Sequence, residues 1–167
     1  MEKNNRKGFS PKRLNMKESI FNIRVYGIFI NDNQELLITD EFRLNMNMTK
    51  FPGGGLQFGE GTIDCLKREC MEELGQEIEI IRHFYTTDYY QPNVLVTSTK
   101  QLISIYYMIK IPHPEKIKTT KIKFDFTQNI DGPQSFRWIP LSELSEDEFT
   151  FPIDKKVVGI IKQQVRQ

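Results

Sequence analysis

Apolar and polar positions along this chain change period several times, and each change marks a new element. Ile20 to Ile30 is rich in β-branched and aromatic residues and predicts a strand. Asn31-Asp32-Asn33 reads as a turn and Glu35 to Thr39 as the partner strand of a hairpin. Asp40 to Lys50 is polar and is expected as a loop across the site. Ile63, Leu66, Cys70 and Leu74 then recur at spacings of three and four, the single apolar stripe of a helix. Thr62 is its expected N-cap, Asp64 a first-turn carboxylate and Gly75 its stop. Glu77 to Tyr85 alternates and reads as a strand. Asp88 to Thr99 reads as a loop, and Leu102 to Ile111 as a buried strand ended by Pro112 and Pro114. Glu115 to Phe126 alternates lysine with isoleucine or threonine, the pattern of an exposed edge strand. Asp131-Gly132-Pro133 marks a turn and Ser135 to Ile139 a strand. Ile153 to Val165 is an amphipathic closing helix. Strands alternating with two helices predict an α/β fold in one domain over residues 19–167. Residues 1–18, polar and basic, read as a flexible N-terminal arm.

The helix after Thr62 carries more charge than packing requires. Glu69, Glu72 and Glu73 fall off its apolar stripe, and residues three and four apart are neighbours on a helix surface. Three carboxylates on one patch repel unless a cation sits among them. Mg²⁺ and Mn²⁺ prefer oxygen ligands, and Mg²⁺ commonly shares substrate phosphates. Arg68, beside Glu69 and one turn before Glu72, can fix a carboxylate through paired hydrogen bonds. A solvated acidic face is the plain alternative. Against it stand Gly53, Gly54, Gly55, Gly59 and Gly61, a glycine-rich turn ahead of the helix that allows close approach of backbone to a ligand.

Gly54, Glu60, Arg68, Glu69, Glu72, Glu73 and Gly75 stand at the spacings of the signature box of the Nudix (MutT-like) hydrolases, which this chain resembles. The resemblance implies an α/β/α sandwich around a mixed β-sheet, and Pro140 to Leu144 looks like the segment that follows the last strand in that family and begins a short helix. It also implies a Mg²⁺- or Mn²⁺-dependent hydrolase that cleaves a diphosphate linkage in a nucleoside diphosphate derivative, such as a nucleotide sugar or a nucleoside triphosphate. Glu69, Glu72, Glu73 and the Gly53 carbonyl would be metal ligands. Arg68 would orient Glu69, and Glu60 would support the helix. Two positions depart from the pattern: Gln57 stands where many relatives carry glutamate, and Gln76 where an aliphatic residue is usual. Many relatives are dimers, so a homodimer is possible.

The base that takes the water's proton is expected to be Glu72, or an acidic residue ahead of the last strand: Glu115, Asp125 or, by spacing, Asp131. Tyr85, Tyr89, Tyr90, Tyr106 and Tyr107 offer faces on which a base could stack, with Tyr89 and Tyr90 in the expected specificity loop. Two other classes fit the same pattern. One is a sensor that binds without cleaving; the other is an enzyme acting on a non-nucleotide diphosphate.

Composition narrows the partners. The net charge of +1 argues against binding a nucleic acid polymer. No run of eighteen apolar residues occurs, so no membrane helix is expected, and the first residues lack the apolar block of a secretory signal. Cys65 and Cys70 lie about 140° apart on a helix and are not expected to bond each other, which suits a reducing, cytoplasmic setting. His83 and His113 are isolated and carry no assigned role.

Overall fold

The computed structural model describes residues 20–93, 100–126 and 132–165. The N-terminal arm, residues 94–99 of the predicted loop, and Asp131 lie outside them.

Among the described residues, seven strands form two sheets. The first, in the order β4 (Gly53–Gly55), β1 (Ile20–Ile28), β6 (Lys100–Lys110), β5 (Glu79–Thr86), is mixed: β1 and β6 run parallel, the other pairs antiparallel. The second, β3 (Met46–Lys50), β2 (Glu35–Arg43), β7 (Gln134–Pro140), is antiparallel. Helices α1 (Thr62–Leu74) and α2 (Pro152–Val165) pack on opposite sides. The expected sandwich is therefore present, with its central layer divided between two sheets.

Side-chain alternation builds this layering. On β1, Val25 joins the α1-side core of Cys65, Leu66, Cys70 and Ile109, while Tyr26 and Ile28 join the α2-side core of Val157, Val158 and Ile161. On β2, Leu37 serves the first core and Leu36 and Ile38 the second. The predicted hairpin exists only at its base, where Ile30 pairs with Leu36; beyond it β1 and β2 diverge into separate sheets.

Four expectations change. Asp40–Lys50 is no loop: it finishes β2 and forms β3, joined by Leu44 and Asn45 at φ 52° and 59°, as in a type I′ hairpin turn. Asp40, Glu41, Thr49 and Lys50 mislead because they are buried in pairs. Asp40 accepts from Arg137 Nη2 (3.0 Å) and Thr49 Oγ1 (2.7 Å). Glu115–Phe126 is not an edge strand. A 3₁₀ turn at Pro114–Lys116 leads to one bridge, Thr119 to Phe136; Thr120 Oγ1 then binds Ile122 N–H and Asp125, and these local bonds compete with a ladder. Pro140 ends β7, and the next helical turn is the short 3₁₀ segment Glu146–Glu148. Thr62 is not the cap. Gly61 holds that position and accepts the Cys65 N–H, while Thr62 Oγ1 hydrogen-bonds the Tyr107 hydroxyl at 2.7 Å, fastening α1 to β6. The buried stripe of α1 accordingly shifts, with Cys65 inside and Ile63 exposed.

Gly75 does stop α1 in the left-handed conformation, φ 69°, its N–H bonding the Met71 carbonyl. Gln76 follows and clasps the His113 backbone with both ends of its amide, 3.0 and 3.1 Å. Its departure from the aliphatic pattern is thus structural. Cys65 and Cys70 are buried free thiols, and burial pushes both above their ordinary range, Cys65 to about 11.

Candidate active site

The glycine turn and α1 fit together by close approach. A Cβ on Gly54 would fall 2.2–2.6 Å from the Glu69 carboxylate, so only glycine leaves room for that side chain. Gly53, at φ 126°, lies with its missing Cβ 2.3 Å from the Val25 carbonyl of β1. The backbone of β4 therefore sits directly under the acidic face of α1.

Arg68 organises one half of that face. Its Nη1 donates to Glu69 Oε1 at 2.8 Å and reaches Glu72 at 3.3 Å; its Nη2 donates to the Gly55 carbonyl at 3.1 Å. The Nε–Nη2 edge also engages Glu60. The Arg68 bonds, then the Gln57 backbone N–H, hold the Glu60 carboxyl down at about 2. The exposed Gln57 thus contributes through its backbone.

Lys50 organises the other half. Glu73 turns inward, Oε1 to Lys50 Nζ at 3.1 Å and Oε2 accepting the Gly53 N–H at 2.9 Å. Burial raises the Glu73 carboxyl against the pull of Lys50 and that N–H. Burial lowers the Lys50 ammonium, but Glu73 and Glu41 outweigh it and its pKa rises, so it is charged. The patch expected from spacing is thus divided between two internal cations. Among the described residues, no three His, Cys, Asp or Glu side chains converge as a metal cluster.

A cavity of about 290 Å³ opens beside this face. Lys50, Glu41 and Arg24 line the side towards α1, and Tyr26, Tyr106 and Phe151 give it aromatic walls. Asp154, in the first turn of α2, lies in the lining and is 1% exposed. Its Oδ1 accepts from the Tyr106 hydroxyl, and its Oδ2 has no hydrogen-bond partner. Burial lifts its carboxyl to about 7, against the Tyr106 hydrogen bond and the charges of Lys50 and Arg24.

A NUDIX domain model matches residues 21–158. The chain belongs to the Nudix family.

That family hydrolyses pyrophosphate bonds, and the Nudix fold is shared with solved structures of low sequence identity. The MutT protein from Methanosarcina mazei Go1 is similar with a TM-score of 0.62 at 17% identity, over 90% of this chain and 99% of that one. The E. coli ORF135 protein is similar with a TM-score of 0.61 at 16% identity, over 90% and 94%. An RNA pyrophosphohydrolase of Ruthia magnifica subsp. Calyptogena magnifica is 39% identical over 54 residues, 32% of this chain and only 29% of that relative. No helix among the described residues is long and apolar enough to cross a membrane.

The other candidates from the sequence fall at varied distances from the Nudix helix. Tyr90 is 65% exposed, and Tyr89 lies under Lys156 Nζ, 4.8 Å from its ring centre. Neither lines the cavity; Gln91, Pro92 and Asn93 of the same loop do. Glu115 is exposed and paired with His113, and Asp125 accepts from Thr120. Sequence reasoning missed Arg24, Glu41, Lys50 and Asp154. Asp154 carries a local signal, a charge three and four residues before Val157 and Val158 on the apolar stripe of the closing helix, whereas Arg24, Glu41 and Lys50 carry none.

Proposed function

We propose that this protein is a divalent-metal-dependent hydrolase that cleaves the diphosphate linkage of a nucleoside diphosphate derivative. The observation that carries the reading is the Glu69 carboxylate, seated on the Gly54 backbone and fixed by Arg68, beside a cavity of nucleoside dimensions. A Mg²⁺ or Mn²⁺ ion fits this donor set, which is all oxygen, and the space a Cβ would fill at Gly54 admits the Glu69 carboxylate to it. Glu69 and Glu72 would hold the ion; Glu73 and the Gly53 carbonyl, which the family pattern also names as ligands, are engaged by Lys50. When bound, the cation would offset diphosphate charge and make a water more acidic.

The chain's own groups supply the rest. Arg68 keeps Glu69 in one orientation and Glu60 ionised. Glu72 is the most exposed of the three, held only by the longer Arg68 contacts, so it is free to swing and accept the attacking water's proton. Arg24 and Lys50 place positive charge between the helix and the cavity, along the path a diphosphate would follow. The aromatic walls suit a flat ring, and Asp154 Oδ2 suits a ring N–H or amino donor. A panel of nucleoside triphosphates, nucleotide sugars and isoprenoid diphosphates, each with Mg²⁺ and with Mn²⁺, tests this reading through release of phosphate or nucleoside monophosphate. Cleavage of nucleotides that chelator abolishes is expected. Cleavage of isoprenoid diphosphates alone would overturn the substrate class, and full turnover in chelator the metal requirement.

A further inference from the structure

Lys50 Nζ has three oxygen neighbours: the Gly53 carbonyl at 2.9 Å, Glu73 Oε1 at 3.1 Å and Glu41 Oε2 at 3.3 Å. The Lys50 side chain is 3% exposed, so its ammonium is shielded from bulk solvent. An ammonium has three donors, and here each has one acceptor. Two carboxylates and a backbone carbonyl are also the donors a hard divalent cation selects. Two of them, Gly53 and Glu73, are positions the family pattern gives to the metal.

We infer that the Lys50 ammonium is a built-in cation occupying one of the metal positions, so that the protein holds one divalent ion fewer than its carboxylates would allow. Two cations cannot share these oxygens. An ion at bonding distance from Gly53 O and Glu73 would stand almost on top of Nζ, in a buried place where like charges are poorly screened. Glu73 Oε2 is engaged as well, accepting the Gly53 N–H. Glu41, from β2, completes the cage and belongs to no box motif; it is the element that makes a lysine fit here. The divalent ions are thereby confined to the Glu69–Glu72 side of α1, next to Arg68. Lys50 supplies its charge permanently, with no dependence on metal concentration.

This inference rests on the metal reading above, and its test separates the two. Free Mn²⁺ is followed by electron paramagnetic resonance during titration of the parent, Lys50→Met, Glu73→Gln and the double variant. Methionine keeps an unbranched chain of similar length and removes the charge. Lys50→Met is expected to bind one Mn²⁺ more than the parent, and Glu73→Gln on top of it to remove that extra ion. In the parent background Glu73→Gln is expected to leave Mn²⁺ number and affinity within about twofold. Equal stoichiometry in parent and Lys50→Met overturns the inference. So does a tenfold or greater loss of Mn²⁺ affinity on Glu73→Gln in the parent, and this arm decides the matter even if Lys50→Met fails to fold. Failure of Glu69→Gln and Glu72→Gln to weaken Mn²⁺ binding would instead strike at the functional reading, whatever the lysine comparison gives.

Discussion

Arg68 grips Glu60 with two nitrogens at once, Nε on Oε1 at 2.5 Å and Nη2 on Oε2 at 3.1 Å. The same guanidinium fixes Glu69, so one planar group sets the loop before α1 and the acidic face of α1 together. Lysine has no fork and cannot serve both edges. Arg68→Lys is expected to lower kcat by ~10–100-fold, the usual cost of losing an outer partner of a metal ligand. The check is steady-state kinetics beside circular dichroism: an unchanged kcat in a folded variant would mean that Glu69 needs no external hold.

Glu69→Gln and Glu72→Gln should each reduce kcat by at least ~10²-fold while the fold survives, since an amide matches the shape of the carboxylate but lacks its charge. Steady-state kinetics beside circular dichroism checks both, and near-normal turnover in a folded Glu72→Gln protein would remove that residue from the mechanism.

Gly54→Ala tests the seat of Glu69. The added methyl would meet the carboxylate at 2.2–2.6 Å, and the flexible end of Glu69 is what must move. The backbone at Gly54 carries no positive φ, so strain there is not the issue. Melting temperature should change little, while Mn²⁺ affinity and kcat fall by ~10-fold or more, on the scale of other disturbances around a metal ligand. A large drop in stability with normal affinity would show that the glycine serves packing instead.

Asp154 gives a pH dependence with a definite sign. Its folded value of about 7 lies above the ordinary 3.8 because burial penalises the charge. Folding therefore takes up a proton between these values, and stability falls as pH rises from about 4 through about 7. The loss is at most about 4 kcal/mol at ~1.4 kcal/mol per unit. Asp154→Asn keeps an oxygen for the Tyr106 hydroxyl and removes the titration. Its melting temperature should exceed the parent's at pH 8.5, with the gap closing towards pH 4. A gap independent of pH would mean that this carboxyl does not titrate in that range. Asp154→Ala should also raise KM for the best nucleotide substrate by ~10-fold, as loss of one buried hydrogen bond does.

The sequence made the acidic face legible because helix spacing and box pattern agree: Arg68 does bind Glu69, and Gly75 does end α1. It also made both helices legible, since an apolar stripe shows wherever one side is buried. It concealed the Lys50 cage. Asp40, Glu41, Thr49 and Lys50 look like a surface loop, and only partners far away in sequence, such as Arg137 for Asp40 and Glu73 for Lys50, turn them into buried strands. Of the five tyrosines offered for stacking, Tyr106 does line the cavity, beside Tyr26 and Phe151 from elements that meet it only in the fold, while Tyr89 and Tyr90 do not. Tertiary charge pairing leaves no local period to read.

The alternation on β1 and β2 governs how the molecule comes apart. Val25 and Tyr26 are adjacent, yet they face opposite layers, as do Leu36 and Leu37. A strand that loosens to release one layer withdraws its neighbouring side chains from the other, so neither helix has a melting point of its own. Fluorescence of Trp138, which meets Phe29 on the α1 side, and near-ultraviolet signals of Tyr106 on the α2 side should trace one unfolding curve.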